Sequence, residues 1–175
     1  MKAAIVIDNF LDAEKWSEIQ WLIGDYLTAT TFVENKSGPF DTVGAYVRQR
    51  IEDLGEWQDH WEHTLSMFSF VNGLPPGIDR ESGDAGNGGY HRDFGGFVYY
   101  IHPTWESTWG GHLKFRNCDV EQIEPKPNRF VWINPGTEHG IEVVDASASH
   151  NRVTYVGWPE GCWDNTDGDL IINTV

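Results

Sequence analysis

The chain has 175 residues, 39% hydrophobic and 14% aromatic, with 27 Asp plus Glu against 12 Lys plus Arg, a formal charge of −15. That composition supports one packed domain rather than two and argues against disorder, while the acidic excess repels phosphate and so disfavours duplex nucleic acid and anionic membranes as partners. Two cysteines are too few for a disulfide scaffold, no apolar run reaches membrane length, and the amino terminus lacks a cleavable signal pattern, so the chain reads as soluble, intracellular and cytoplasmic.

In chain order, residues 3–10 alternate loosely and predict a short strand. Asp12 is a plausible N-cap and Glu14 suits a first turn, with Trp16, Ile19, Ile23 and Tyr26 recurring at helical spacing over residues 12–24. Gly38-Pro39 interrupts the next stretch, and Tyr46, Val47, Arg50, Ile51 and Leu54 trace a second amphipathic face ending near Gly55. Residues 67–71 resemble a strand. Residues 72–89 then form a long, glycine-rich polar loop, read as a lid or rim. Short apolar runs follow at 97–101, 112–115, 130–133, 141–144 and 153–156, separated by Gly110-Gly111, residues 125–128 and Asn134-Pro135-Gly136. This is antiparallel β with helices confined to the first third, a mainly β, α+β class. One domain spans 1–175, with helical support over 1–65, a β core over 66–160 and a tail over 161–175.

The informative polar residues are Tyr90-His91-Arg92-Asp93, Thr137-Glu138-His139-Gly140 and Arg152-Val153-Thr154. On a strand, residues i and i+2 share a face, so His91 and Asp93 can converge on one cation. A second histidine from a distant strand completes a set of two imidazoles and one carboxylate, the facial arrangement that non-haem Fe(II) oxygenases use. Arg152 stands in an apolar run, where a forked, permanently charged group suits the capture of a carboxylate inside a barrel.

The order His91-x-Asp93, Tyr99-Tyr100-Ile101 with Trp105, Gly110-Gly111-His112-Leu113-Lys114-Phe115, residues 125–132, His139 and Arg152-Val153-Thr154 resembles the 2-oxoglutarate and Fe(II)-dependent dioxygenases of the prolyl 4-hydroxylase type, over roughly residues 67–158. The resemblance implies a double-stranded β-helix (a cupin-like jelly roll) with amino-terminal support helices. It implies His91, Asp93 and His139 as iron ligands, Arg152 and Thr154 on the distal carboxylate of 2-oxoglutarate, and Tyr100 as a hydrogen-bond donor to the same group. The implied reaction couples decarboxylation of 2-oxoglutarate to succinate with C–H hydroxylation by O2. Peptidyl proline, another peptide or a small molecule is the implied substrate, and ascorbate the implied support for turnover. Arg129 matches a common basic position of the family, and residues 145–150 form a polar insertion ahead of Arg152.

Two rival readings accompany this one. Tryptophans and glycine turns also suit a non-catalytic jelly-roll module that stacks on sugars, and the metal set suits a cupin-type metalloenzyme that does not use 2-oxoglutarate. His60 and His63 lie at i and i+3 on a possible helix and read as an exposed face rather than zinc ligands. His102, His112 and His150 read as ordinary strand or loop residues. Cys118 reads as a buried or idle thiol, and Trp105, Trp109, Trp132 and Trp158 as mainly core, with one or two lining a substrate groove.

Overall fold

Two features of local chemistry start the structure. The Asp12 side chain accepts a 3.0 Å hydrogen bond from the Lys15 amide and so caps a helix, and Pro39, whose missing N–H costs nothing at a first helical position, opens another. The computed structural model describes residues 2–28, 39–55, 61–68, 90–92 and 95–159, giving the backbone alone for 39–40, 61–68 and 158–159. Its helices are α1 (Ala13–Leu22) and α2 (Pro39–Asp53), and its strands are β1 (Ala4–Asp8), β2 (Trp61–Phe68), β3 (Gly96–Tyr100), β4 (Leu113–Arg116), β5 (Gln122–Ile123), β6 (Arg129–Ile133), β7 (Glu138–Ile141) and β8 (Arg152–Pro159). Among the described residues no helix is long and apolar enough to cross a membrane.

The strands form an antiparallel five-stranded sheet, ordered β1-β6-β3-β8-β2, and a three-stranded sheet, ordered β5-β4-β7. Strand alternation gives the large sheet two unlike faces. Phe97, Tyr99, Phe130, Val153 and Tyr155 face the helices, where Ile19, Ile23, Val43, Val47 and Ile51 cover them. Val98, Tyr100, Val131 and Ile133 face the small sheet and meet Leu113, Phe115 and Ile123. Each fully buried aliphatic side chain contributes about 1.5–3 kcal/mol of transfer free energy, so both layers are required and neither is a decoration on the other.

Three details differ from the expectation. The strand foreseen at 67–71 is β2, which begins at Trp61 and pairs along its whole length with β8, from Trp61 opposite Pro159 to Phe68 opposite Arg152. His63 therefore sits on a strand, so the helical spacing of His60 and His63 does not apply, and His60 itself lies outside the described residues. The apolar run at 141–144 is displaced: β7 ends at Ile141, and Val144 makes only an isolated bridge to Gly110. The short β5 and a single helical turn, Ser107–Trp109, carried no periodic signal.

Candidate active site

Alternation on β3 and β8 places the key polar groups between the sheets. Tyr99 turns toward the helices, where its hydroxyl donates to Asn128 Oδ1 at 2.8 Å, and Tyr100 turns into the interior. Tyr100 pairs directly with Thr154 across the β3–β8 ladder, and Tyr100, Arg152 and Thr154 are all fully buried. Arg152 Nε donates to the Gly111 carbonyl at 2.9 Å, Nη2 lies 3.4 Å from the Tyr100 hydroxyl, and the guanidinium stands 5.0 Å from the Tyr100 ring centre.

Glycine is required at position 111 for this approach. Its φ is +69°, and a Cβ there would stand 3.0 Å from Arg152 Cδ and 3.2 Å from Trp105 Cζ2. Burial pushes the pKa of Arg152 down and that of Tyr100 up, the latter against the pull of the neighbouring guanidinium. Arginine starts so far above neutrality that it stays a cation, and the phenol stays protonated. A guanidinium held by a carbonyl and a phenol has neutral neighbours in these contacts. A carboxylate brought beside it would gain a charge-assisted, bidentate partner in a buried, low-dielectric setting.

The histidines sit at the other end of β4. Residues 90–92 add to the far side of β7 through a bridge in which His91 N–H and His139 N–H each donate to the other's carbonyl at 2.9 Å. The two rings then lie side by side, 4.4 Å between centres and tilted by 56°, with His139 buried and His91 half-buried. The His139 ring also contacts Phe115 of β4. Its Nδ1 lies 2.9 Å from the Thr137 carbonyl, which fixes the proton on Nδ1 and makes Nε2 the lone-pair nitrogen, the form a metal takes.

On the outward face of the same strands, Arg92 pairs with Glu138 at 2.9 Å, Arg116 lies 3.8 Å from that carboxylate, and the Arg116 guanidinium stacks 3.7 Å above the Tyr90 ring. These contacts hold the bridge in register. Asp93 lies outside the described residues, and among the described residues no group of three His, Cys, Asp or Glu side chains is assembled. The donors nevertheless suit Fe(II): two imidazoles side by side, a carboxylate two residues along the chain from one of them, and no thiolate among them.

Other expectations resolve individually. Arg129 grips Asp8 through two bonds of 2.6 and 3.0 Å and donates to the Glu124 carbonyl, so it is a brace between β1 and β6 rather than a ligand. His112, buried beside β4, meets Glu142 through its Nδ1 at 2.5 Å. Trp105 and Trp109 meet edge-on at 5.3 Å and pack with His150, and Trp132 lies on the helix-side layer. Cys118 is half-buried. The loop over 72–89, Cys162 and the tail beyond 160 lie outside the described residues, as does the Trp158 side chain. His102, read from the sequence as an ordinary strand or loop residue, lies between a buried tyrosine and Trp105. Its fully buried ring touches both Tyr100 and Trp105.

Residues 57–160, more than half of the chain, match the 2OG-Fe(II) oxygenase superfamily. The chain belongs to that superfamily. It is an Fe(II)- and 2-oxoglutarate-dependent dioxygenase, with 2-oxoglutarate and O2 as co-substrates. The sugar-binding module and the cupin that dispenses with 2-oxoglutarate are thereby set aside. Among solved structures, this oxygenase is similar to a prolyl hydroxylase from Trichoplax adhaerens in complex with a hypoxia inducible factor peptide fragment (15% identity, 91% of this chain and 84% of that one, TM-score 0.53). It is also similar to a prolyl-4-hydroxylase from Pseudomonas putida (18%, 91% and 88%, 0.52) and to a viral collagen prolyl hydroxylase from Paramecium Bursaria Chlorella virus-1 in its 2-oxoglutarate complex (14%, 90% and 94%, 0.52). At such identities the likeness shows the fold, a double-stranded β-helix. No curated protein matches the sequence.

Proposed function

We propose that this oxygenase binds iron through His91, Asp93 and His139 and the distal carboxylate of 2-oxoglutarate through Arg152, Thr154 and Tyr100, within one domain spanning 1–175. The observation that carries the cosubstrate assignment is a fully buried arginine on the inner face of the barrel, set beside the equally buried Tyr100 hydroxyl and Thr154. Once bound, iron and 2-oxoglutarate would supply the oxidising power, decarboxylation to succinate and carbon dioxide driving insertion of one oxygen atom into a substrate C–H bond.

The residues of the chain do the rest. Arg152 orients the keto acid by its far end, and the neutral Tyr100 phenol adds a hydrogen bond without adding charge. The Nδ1 proton of His139, committed to the Thr137 carbonyl, keeps that imidazole in its ligating tautomer. Val98, Val131, Leu113 and Phe115 line the interior with apolar surface and exclude water from the reaction.

The substrate we propose is a prolyl residue in a peptide, and the support is the fold shared with peptide and collagen prolyl hydroxylases. Ascorbate as a supporting reductant and the reducing cytoplasm as the setting complete the proposal. Succinate release measured over a panel of proline-containing peptides, their proline-free counterparts and free amino acids tests it. Turnover confined to the proline-containing peptides is the expected result. Equal stimulation by proline-free peptides would overturn the substrate, and absence of succinate from an H139A variant alone would leave the metal assignment standing.

A further inference from the structure

The ladder between β3 and β8 is interrupted beside Arg152, and side chains complete it. Ile101 N–H donates to the Val153 carbonyl at 3.0 Å, continuing the antiparallel pairing that joins Tyr100 to Thr154. The return bond is not made between the strands. The Ile101 carbonyl instead accepts from Gln20 Nε2 of α1 at 2.9 Å, and Val153 N–H is met by His102 Nδ1 at 3.2 Å. The other ring nitrogen, Nε2, lies 2.7 Å from the Pro125 carbonyl, so the tautomer protonated on Nε2 satisfies both partners. Burial, reinforced by repulsion from Arg152, pushes the His102 pKa down to about 3 and keeps the ring neutral. A proton on Nδ1 would donate instead to the Val153 carbonyl, also 3.2 Å away, but it would take the acceptor from the Val153 N–H and set the Nε2 lone pair against the Pro125 carbonyl.

The same imidazole touches the opposite wall of the guanidinium. Its ring lies 4.6 Å from Trp105, whose indole N–H donates to the Gly110 carbonyl at 3.0 Å and thereby holds the Gly110-Gly111 turn on which Arg152 Nε rests. His102 therefore supports Arg152 from the backbone that carries it and from the turn that receives it.

We propose that His102 is a positioning residue for the cosubstrate: by capping the Val153 amide it sets the Arg152 guanidinium and so tightens binding of 2-oxoglutarate. This rests on the assignment of Arg152 to the distal carboxylate. Two amide substitutions separate the two hydrogen bonds. In H102N, Oδ1 replaces Nδ1 and keeps the cap on Val153. In H102Q, the amide lies one bond farther out, within reach of Pro125 but with no acceptor at the δ position.

Equilibrium titration of the anaerobic Fe(II) protein with 2-oxoglutarate, alongside kcat and KM, is the test, with melting curves to confirm folding. H102N is expected to bind 2-oxoglutarate within about threefold of wild type and H102Q to bind it about tenfold more weakly, since a buried N–H has lost its acceptor. Saturated kcat should change less than about twofold in either. H102Q binding as tightly as wild type, or H102N and H102Q weakened alike, would overturn the proposal.

R152M serves as the control. Unchanged affinity there would remove the Arg152 assignment and this inference with it, whereas a large loss in R152M with parity in H102Q removes the role of His102 alone. Should H102Q not fold, hydrogen exchange in the wild type decides. 2-Oxoglutarate should slow exchange of the Val153 amide about tenfold beyond any change at Ile5 and Val6 of the sheet edge, and equal change at all three would overturn it.

Discussion

Replacing Arg152 by Met separates a structural cation from one that waits for an anion. In the ligand-free protein the guanidinium gains about 1.5–3 kcal/mol from each hydrogen bond it makes as a charged donor, to the Gly111 carbonyl and the Tyr100 hydroxyl. Its burial costs several kcal/mol. For these two bonds the terms offset, and a methionine of similar length fills the space, so R152M is expected to change ligand-free stability by less than about 1.5 kcal/mol in either direction. Cosubstrate binding should respond differently.

Truncating one partner of a buried, hydrogen-bonded charge pair costs about 2–5 kcal/mol, a loss of about 30-fold to 4000-fold in affinity. At 2-oxoglutarate equal to about 100 times the wild-type Kd, wild type gains about 2.7 kcal/mol, a rise in Tm of about 5–11 °C for a chain of this size. R152M at the same concentration gains at most about 0.9 kcal/mol, or roughly 2–3 °C. Thermal denaturation of the anaerobic Fe(II) protein with and without 2-oxoglutarate reads both quantities. A full shift retained by R152M, or a ligand-free loss above about 3 kcal/mol, would refute the reasoning and make Arg152 a structural ion.

Substituting Gly111 by Ala places a methyl group against Arg152 and Trp105 at φ +69°, and should cost about 1–3 kcal/mol in denaturant unfolding together with weaker 2-oxoglutarate binding. Because the folded pKa of His102 is depressed to about 3, its contribution to stability is present above the unfolded value near 6.5 and is lost as the pH falls toward 3. Unfolding between pH 7 and 5 should therefore show a loss of about 2 kcal/mol that H102N lacks, and a wild-type curve identical to that of H102N would contradict it. Asn128 accepts from the Tyr99 hydroxyl and the Leu11 amide and donates to the Leu11 carbonyl, at a φ of +55°. N128A should lose about 3 kcal/mol in a urea titration, with 2-oxoglutarate affinity unchanged, since these bonds lie on the helix side of the large sheet.

Much of the architecture was legible wherever a decision rests on a few consecutive residues. The Asp12 cap and the helix it opens follow from a carboxylate three residues ahead of an amide. The opposed directions of Tyr99 and Tyr100 follow from strand geometry, as does the common face of Arg152 and Thr154. Arg152 could be picked out because a charged side chain inside an apolar run needs a partner, and His91, Asp93 and His139 by the shared face of residues i and i+2 together with the family resemblance, with Asp93 resting on the sequence alone.

Tertiary structure decided whatever depends on which distant segments are buried together. The antiparallel bridge between His91 and His139 closes a long loop, an entropic cost that packing of whole sheets must offset and no local pattern reports. β2 reads as helix at its start and strand at its end until β8 pairs with all of it, and Arg129 is only a basic position shared with the family until Asp8 stands beside it. The role of His102 is of the same kind. Its nitrogens answer backbone groups of Val153 and Pro125, far away in the chain and brought close only when the two sheets fold over one interior.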